Sequence, residues 1–405
     1  MKFRNSWLLF SVLASFRASF TAAQNTPTAP GHEAATSYDG KFRKSALKGV
    51  QEAYLPSPFP SFHAANLVKL QNGELLCFWF SAIHEGLSNV AIEESRLPKG
   101  SKQWSQTVEV DHQEGRSFQN PVPFQAPDGR LWLLHTSQPA GQWQTNAEVV
   151  YLISDDNRTT WKGPLPLFTK PGAFVRQPLV PISAERWLLP MYYTPSRSIT
   201  DGAESNYSAV QITNDFGRTW KECEVFQSNG QVQQSVVKLS NGHFIGFFRS
   251  RYADFIYSDT FDDGCTWTVP VSTHLPKNNS SIQVASLKDG SLVMAFNNIS
   301  AVGTKGKPQA GLRKPLSVAL SEDGGDTWPW VRDIEAGHSG PEEAERRENT
   351  RKGEEYSHPA ILQDEGGKID VAFSYLCKTI KVVRFDENWI KGGNTVGTFK
   401  GNRQQ

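Results

Sequence analysis

The chain has 405 residues, with 42 lysines and arginines set against 41 aspartates and glutamates, a net charge of +1. So balanced a surface gives no global field to recruit nucleic acid or an anionic membrane. Eleven per cent aromatic residues and 24 prolines suit an all-β chain with many turns, and four cysteines are too few for a disulfide-built scaffold.

In chain order, Lys2 and Arg4 precede an apolar run from Trp7 to Ala14, and small residues follow up to Ala23. This reads as a secretory signal peptide over residues 1–23, so the mature protein is expected to be secreted. The run is too short to span a bilayer, and no later stretch qualifies, so no membrane anchor is expected. Residues 24–50 are polar and poorly patterned. From 51 to 395 we read one domain, and from 396 to 405 a tail. Part of the segment Ala46 to Tyr54 is expected to close the last sheet as its outer strand.

Within the domain, pairs of hydrophobic strands flank short turns at Asn72-Gly73, Asp128-Gly129, Ala184-Glu185, Asn241-Gly242, Asp289-Gly290 and Gly366-Gly367. These read as two-residue hairpins of the twist-compatible kind. A second series runs in phase with the first. Ser154–Trp161, Thr213–Trp220, Thr260–Trp267 and Ser321–Trp328 share an acidic turn that ends in tryptophan, with Arg158 standing where the others place glycine. Degenerate copies end at Trp104 and Trp389. The spacing of roughly 57 residues fits a four-stranded propeller blade. Two series that both count six predict an all-β, six-bladed β-propeller.

Asn157, Asn206, Asn278, Asn279 and Asn298 each head an N-glycosylation sequon. Cys223 and Cys265 lie close to the tryptophans of neighbouring repeats and can bridge, whereas Cys77 and Cys377 read equally as buried thiols. The charged stretch 340–355 reads as a solvated surface loop. No paired histidine spacing or glycine-rich phosphate loop is present, so neither metal nor cofactor is expected.

The acidic turns resemble the Asp-box repeats of the sialidase superfamily, over residues 55 to 385 or so. Phe62-His63-Ala64-Ala65-Asn66 resembles the segment that opens the sialidase ring, with His63 in place of the first arginine of a carboxylate-clamping triad. The resemblance places the second arginine at Arg249 and the third at Arg313. It implies Tyr356 as nucleophile and Glu85 as proton donor, and it puts Gln233 where the family has a tyrosine-activating glutamate.

The residues themselves point the same way. His63, Asn66, Glu85, Asn120, Arg176, Gln177, Gln233, Arg249, Asn297, Tyr356, His358, Tyr375 and Lys378 all fall at one end of their hairpins, opposite the glycine turns. They are expected to converge on one mouth of the ring, as convergent polar groups do in a binding cleft. The resulting expectation is a monomeric exo-acting glycosidase that removes a terminal acidic sugar from extracellular glycans. Two alternatives stay open: a lyase acting beside a uronate through His63 and Tyr356, and a carbohydrate-binding propeller without turnover.

Overall fold

The computed structural model describes residues 38–56, 62–81, 86–142, 144–156, 158–195, 205–251, 255–261, 265–299, 313–337, 355–393 and 399–400. The signal segment, most of the charged 340–355 loop, Glu85 and Asn157 lie outside the described residues. No helix among the described residues is long and apolar enough to cross a membrane.

Six antiparallel sheets of four or more strands, and one two-stranded ribbon, form in sequence order. The first spans Phe62–Lys69 to Val108–Asp111, the second Arg116–Gln125 to Lys162–Phe168, and the third Ala173–Val175 to Lys221–Glu224. The fourth spans Gln231–Lys238 to Val271–Pro276 and the fifth Gln283–Ser286 to Trp330–Glu335. The sixth takes Tyr356–Gln363, Ile369–Tyr375 and Thr379–Phe385, then returns to the start of the chain for Gln51–Tyr54 and Arg43–Lys44. Gln51 pairs with Arg384 and Tyr54 with Lys381, so the N-terminal strand covers an edge that would otherwise be open. Inner strands touch in order around a propeller, and Tyr356–Gln363 returns to pack on Phe62–Lys69.

The Asp-box turns repeat to the atom. Asp156, Asp215 and Asp323 each accept, through Oδ1, the backbone N–H of Thr160, Thr219 or Thr327 at 2.8–2.9 Å. The same oxygen accepts the hydroxyl of Ser154, Thr213 or Ser321 at 2.8 Å. Donation from the Thr160 and Thr219 backbones and hydroxyls holds Asp156 and Asp215 down at a pKa of about 2. Positive φ is needed at Gly217 and Gly325, and Arg158 adopts it too at 68°. That departure has a local compensation, because Arg158 Nε reaches Glu94 Oε1 of the first sheet at 2.7 Å.

The tryptophan ending each turn packs backwards onto the preceding sheet. Trp161 meets Phe78 of the first sheet, Trp220 meets Phe168 of the second, and Trp328 meets Phe247 of the fourth, edge to face. Trp267 sits with Leu188 and Val210 of the third sheet. Trp389, on the short helix Glu387–Lys391, sits with Val293 and Leu320 of the fifth. Trp104 packs with Ala372 and Val382 of the sixth, so the series runs round the whole ring. Full burial, as at Trp104 and Trp328, contributes roughly 1.5–3 kcal/mol to the joint the ring fills, and the partly buried Trp161 and Trp220 contribute less.

The other turn series needs a correction. Leu70 N–H bonds Glu74 O, and Ala126, Leu239, Leu287 and Asp364 bond their partners four residues on in the same way. Three residues, not two, therefore separate the strands, and the glycine sits last with φ of 81–92°. The Asx side chain explains the longer form. Asn72, Asp128, Asn241 and Asp289 each accept, through Oδ1, the N–H two residues on at 3.0–3.1 Å, which favours a type I turn ending in a left-handed glycine.

Cys223 and Cys265 are bonded, joining the last strand of the third sheet to the turn of the fourth. Cys77 is buried and Cys377 half-buried, and neither is disulfide-bonded.

Candidate functional site

Inner strands carry a bulge at the point where they cross the ring axis. Pairing registers slip between His63 and Asn66, Gln119 and Val122, Val232 and Ser235, and Ser357 and Ala360. Within each slip one residue that is not glycine takes positive φ: Ala64 at 59°, Asn120 at 54°, Gln233 at 56° and His358 at 53°. Bulges of this kind re-aim side chains and gather near functional sites.

Below the bulges, amides fill the axis. Asn66 Nδ2 donates to Pro121 O at 2.8 Å and to Arg176 O at 3.0 Å. Gln283 Nε2 donates to Asn66 Oδ1 at 3.2 Å and Gln177 Oε1 at 3.4 Å, while Gln177 Nε2 donates to Ile282 O at 2.7 Å. Asn66 and Gln177, expected at a ligand mouth, are instead buried crosslinks that tie the first, third and fifth sheets to one another and the first to the second. Asn297 is similar: it holds Pro315 O at 3.1 Å and Tyr356 O at 3.0 Å, fixing the fifth sheet to the sixth. Asn120 is buried in its bulge.

Above this layer lies a cationic cluster. Arg313 Nη1 donates to Glu355 Oε1, and lies 3.3 Å from both Ser357 Oγ and His358 Nε2. Ser357 Oγ donates to the same carboxylate at 2.6 Å, and His63 Nδ1 stands 3.8 Å from it. Arg249 donates from Nε to Asn279 Oδ1 at 3.0 Å and from Nη1 to Gln233 Oε1 at 3.2 Å. Arg176 is fully buried, gives Nη2 to Pro359 O at 3.1 Å, and finds no acceptor among the described residues for Nε or Nη1. Burial alone draws its pKa down to about 10.

The electrostatics identify the focus. Burial pushes His358 well below its ordinary value, and Arg313, His63, Arg176 and Arg249 add to that push. Burial also works against ionisation of Glu355, but Arg313, His63 and Ser357 outweigh it and hold the carboxyl at about 2. Arg313 and His63 thus flank the Glu355 carboxylate, while Arg313, His63, Arg176 and Arg249 all bear on His358 beside it. Glu355 favours the folded state fully above its unfolded value of about 4.5, and that contribution is lost as pH falls towards 2. Acid titration of stability should be shallower between these limits in Glu355→Gln than in the wild type; identical slopes would show the carboxyl to be uncoupled from folding.

Several sequence expectations change here. Tyr356 is 0% exposed and lies in the apolar core with Leu316 and Val371, its ring on Tyr375. Strand alternation is the reason: Glu355 and Ser357 face Arg313 together, so the residue between them faces away. Gln233 serves Arg249, not the tyrosine. Tyr375 belongs to a separate group with Tyr54 and Lys381, whose Nζ lies 5.3 Å from the Tyr375 ring. Lys378 is exposed at the tip of its hairpin. Among the sequons, Asn206 and Asn278 are buried and Asn279 holds Arg249, none of which suits a glycan acceptor, while Asn298 is half-buried.

Glu355 and Ser357 were not singled out from the sequence, and Asn279 and Cys377 were read there only as a sequon and a thiol, not as parts of this site. The first two carried a readable signal, the period-two pattern either side of Tyr356. His63, Glu355 and Cys377 could offer three ligand atoms to a metal ion. Arg313 already takes Glu355 Oε1, however, and the surrounding cations suit an anion better. A groove of about 710 Å³ between the second and third sheets is lined by Trp132, Trp220, Tyr193 and Glu222. There Glu222 is engaged by Lys170, Tyr193 and Gln211, which leaves the axial cluster as the stronger chemical candidate.

Comparison with known proteins bears on the fold that carries this cluster. A Hadza microbial sialidase superposes with a TM-score of 0.65 at 15% identity, covering 82% of this chain and 66% of its own, just under two thirds. The intramolecular trans-sialidase from Ruminococcus gnavus gives 0.64 at 13%, covering 83% and 96%. A protein of unknown function from Dyadobacter fermentans gives 0.63 at 16%, covering 84% and 99%. At these identities the likeness is one of fold. The model of the BNR repeat-like domain matches residues 73–371, and with the Asp-box turns it covers, this chain belongs to the BNR repeat-like family.

Proposed function

We propose that the protein is a secreted, sialidase-like glycosidase that removes a terminal acidic sugar from a glycan, its six larger sheets being the six blades of the ring. The observation that carries this reading is the convergence of Arg176, Arg249, Arg313 and His63 on His358, with the Glu355 carboxylate held by Arg313 beside it. Arg313 and Arg249 offer forked donors to a sugar carboxylate, the geometry in which guanidinium outperforms ammonium. Glu355, ionised across the physiological range, takes the place expected for Tyr356 and faces the positive charge that develops as a glycosidic bond breaks. Glu85 remains the proposed proton donor.

The test is a screen of sialosides, uronate-capped oligosaccharides and neutral controls. Arg313→Ala should weaken binding of a carboxylate-bearing sugar by roughly 1.5–3 kcal/mol, on the order of tenfold to a hundredfold. Equal loss on the neutral control would show that Arg313 does not read the carboxylate. An unsaturated, ultraviolet-absorbing product would replace hydrolysis with elimination. Binding without turnover is the second reading, and the core position of Tyr356 with Gln233 on Arg249 favours it. A saturable but inert acidic glycan would decide for it.

A further inference from the structure

The hairpin joining Ile369–Tyr375 to Thr379–Phe385 turns through Leu376 and Cys377, both at φ of 54°. Neither is glycine, and left-handed backbone is strained at residues with a Cβ. The turn nevertheless fixes Cys377 at the rim of the cationic cluster. Its Sγ lies 3.5 Å from His63 Nε2, and His63 Nδ1 on the far side of the ring lies 3.8 Å from Glu355 Oε1. Thiol, imidazole and carboxylate therefore stand in the order nucleophile, base and orienting group. Arg176 adds a second, independent sign of an anionic guest, being fully buried with two nitrogens that meet no acceptor among the described residues.

We propose that Cys377 is a nucleophilic thiol activated by His63, and that the arginine cluster directs it towards small carboxylate-bearing disulfides. The inference stands whether or not a glycosidic bond is cleaved. In the step, the Cys377 proton passes to His63 Nε2 and the thiolate attacks one sulfur of the incoming disulfide. A new sulfur–sulfur bond forms to Cys377 as the reagent's own bond breaks. The departing thiolate leaves and can take the proton back from His63. The product is a mixed disulfide seated over Arg313, reversible by any reducing thiol.

The groups facing His63 set its behaviour. Among the described residues they include Glu355 ahead of the sixth sheet, His358 in the bulge at a ring distance of 5.6 Å, Phe80 at 5.7 Å and Cys377 itself. Arg313 acts through Glu355 and His358, and Arg176 and Arg249 through His358. Cys77 does not compete, because it is fully buried and burial raises its pKa strongly.

Native protein should be mixed with dithiobis(nitrobenzoate), a dicarboxylate disulfide, and with uncharged dithiodipyridine, each rate being normalised to that of a free small thiol. We expect one thiol per chain to react, at pH 6, at least about tenfold faster than an ordinary cysteine of pKa near 8.5. The normalised rate should favour the dicarboxylate, and Arg313→Ala should erase that preference. Cys377→Ser should abolish the release, and His63→Gln should return the pH profile to that of an ordinary thiol. A wild-type midpoint above about pH 8 would overturn the activation, and this reading needs no variant to fold. Release that persists in Cys377→Ser, or a normalised preference for the uncharged reagent, would overturn the assignment of the thiol or of its anionic partner.

Discussion

Replacing Lys381 by alanine should destabilise the protein by about 3–5 kcal/mol, the usual cost of breaking a buried ion pair from one side. Lys381 lies on the strand that receives the N-terminal segment, with its side chain only 6% exposed. Its Nζ contacts Glu52 at 3.0 Å and Glu335 at 2.9 Å, and rests 5.0 Å from the Tyr54 ring. Burial disfavours the ammonium, but Glu335, Tyr54 and Glu52 together outweigh it and raise the pKa. Alanine would leave two carboxylates at the seam without a cation. Denaturant midpoints should show the loss, and adding Glu335→Gln should recover part of it, because one of the stranded charges then disappears. A change under about 1 kcal/mol would mean that water already screens the group as it does a surface pair.

Removing the disulfide should cost about 4 kcal/mol by loop-closure entropy, since its cysteines are 42 residues apart. The bridge runs between two sheets that otherwise meet through side-chain packing around Leu188, Phe248 and Trp267. Cys223→Ala/Cys265→Ala should therefore melt lower than the wild type, and reductant should lower the wild type towards the variant while leaving the variant unmoved. Coincident unfolding curves for oxidised and reduced wild type would rule out a stabilising role.

What could be read from the chain was whatever local chemistry decides. Asp156, Asp215 and Asp323 each close a turn with atoms no more than a few residues away, so spacing alone exposed them. The three-residue hairpins were misjudged by one residue because the Asx side chain, not the glycine alone, sets the turn. Site geometry was harder. Ala64, Asn120, Gln233 and His358 take left-handed backbone without being glycine, a conformation that no propensity announces. Those bulges re-aim side chains within the inner strands, whereas Tyr356 was misplaced for a simpler reason, its alternation with Glu355 and Ser357, which face Arg313 together. Asn66 and Gln177 look in sequence like any ligand-binding amides; only the closed ring shows that they answer backbone groups across the axis.

The pairing of Gln51 with Arg384 also sets a timetable for the chain as it is made. Sheets one to five draw their strands from consecutive stretches and can assemble as each emerges from the ribosome. The sixth must wait, because its outer strands are among the earliest described residues synthesised and their partner is among the last. Until then Gln51–Tyr54 is an unpaired strand with free backbone groups, exposed to chaperones and to its own neighbours on the polysome. Ring completion is accordingly the late step, and the one at which a nascent chain of this fold is most open to pairing with the wrong partner.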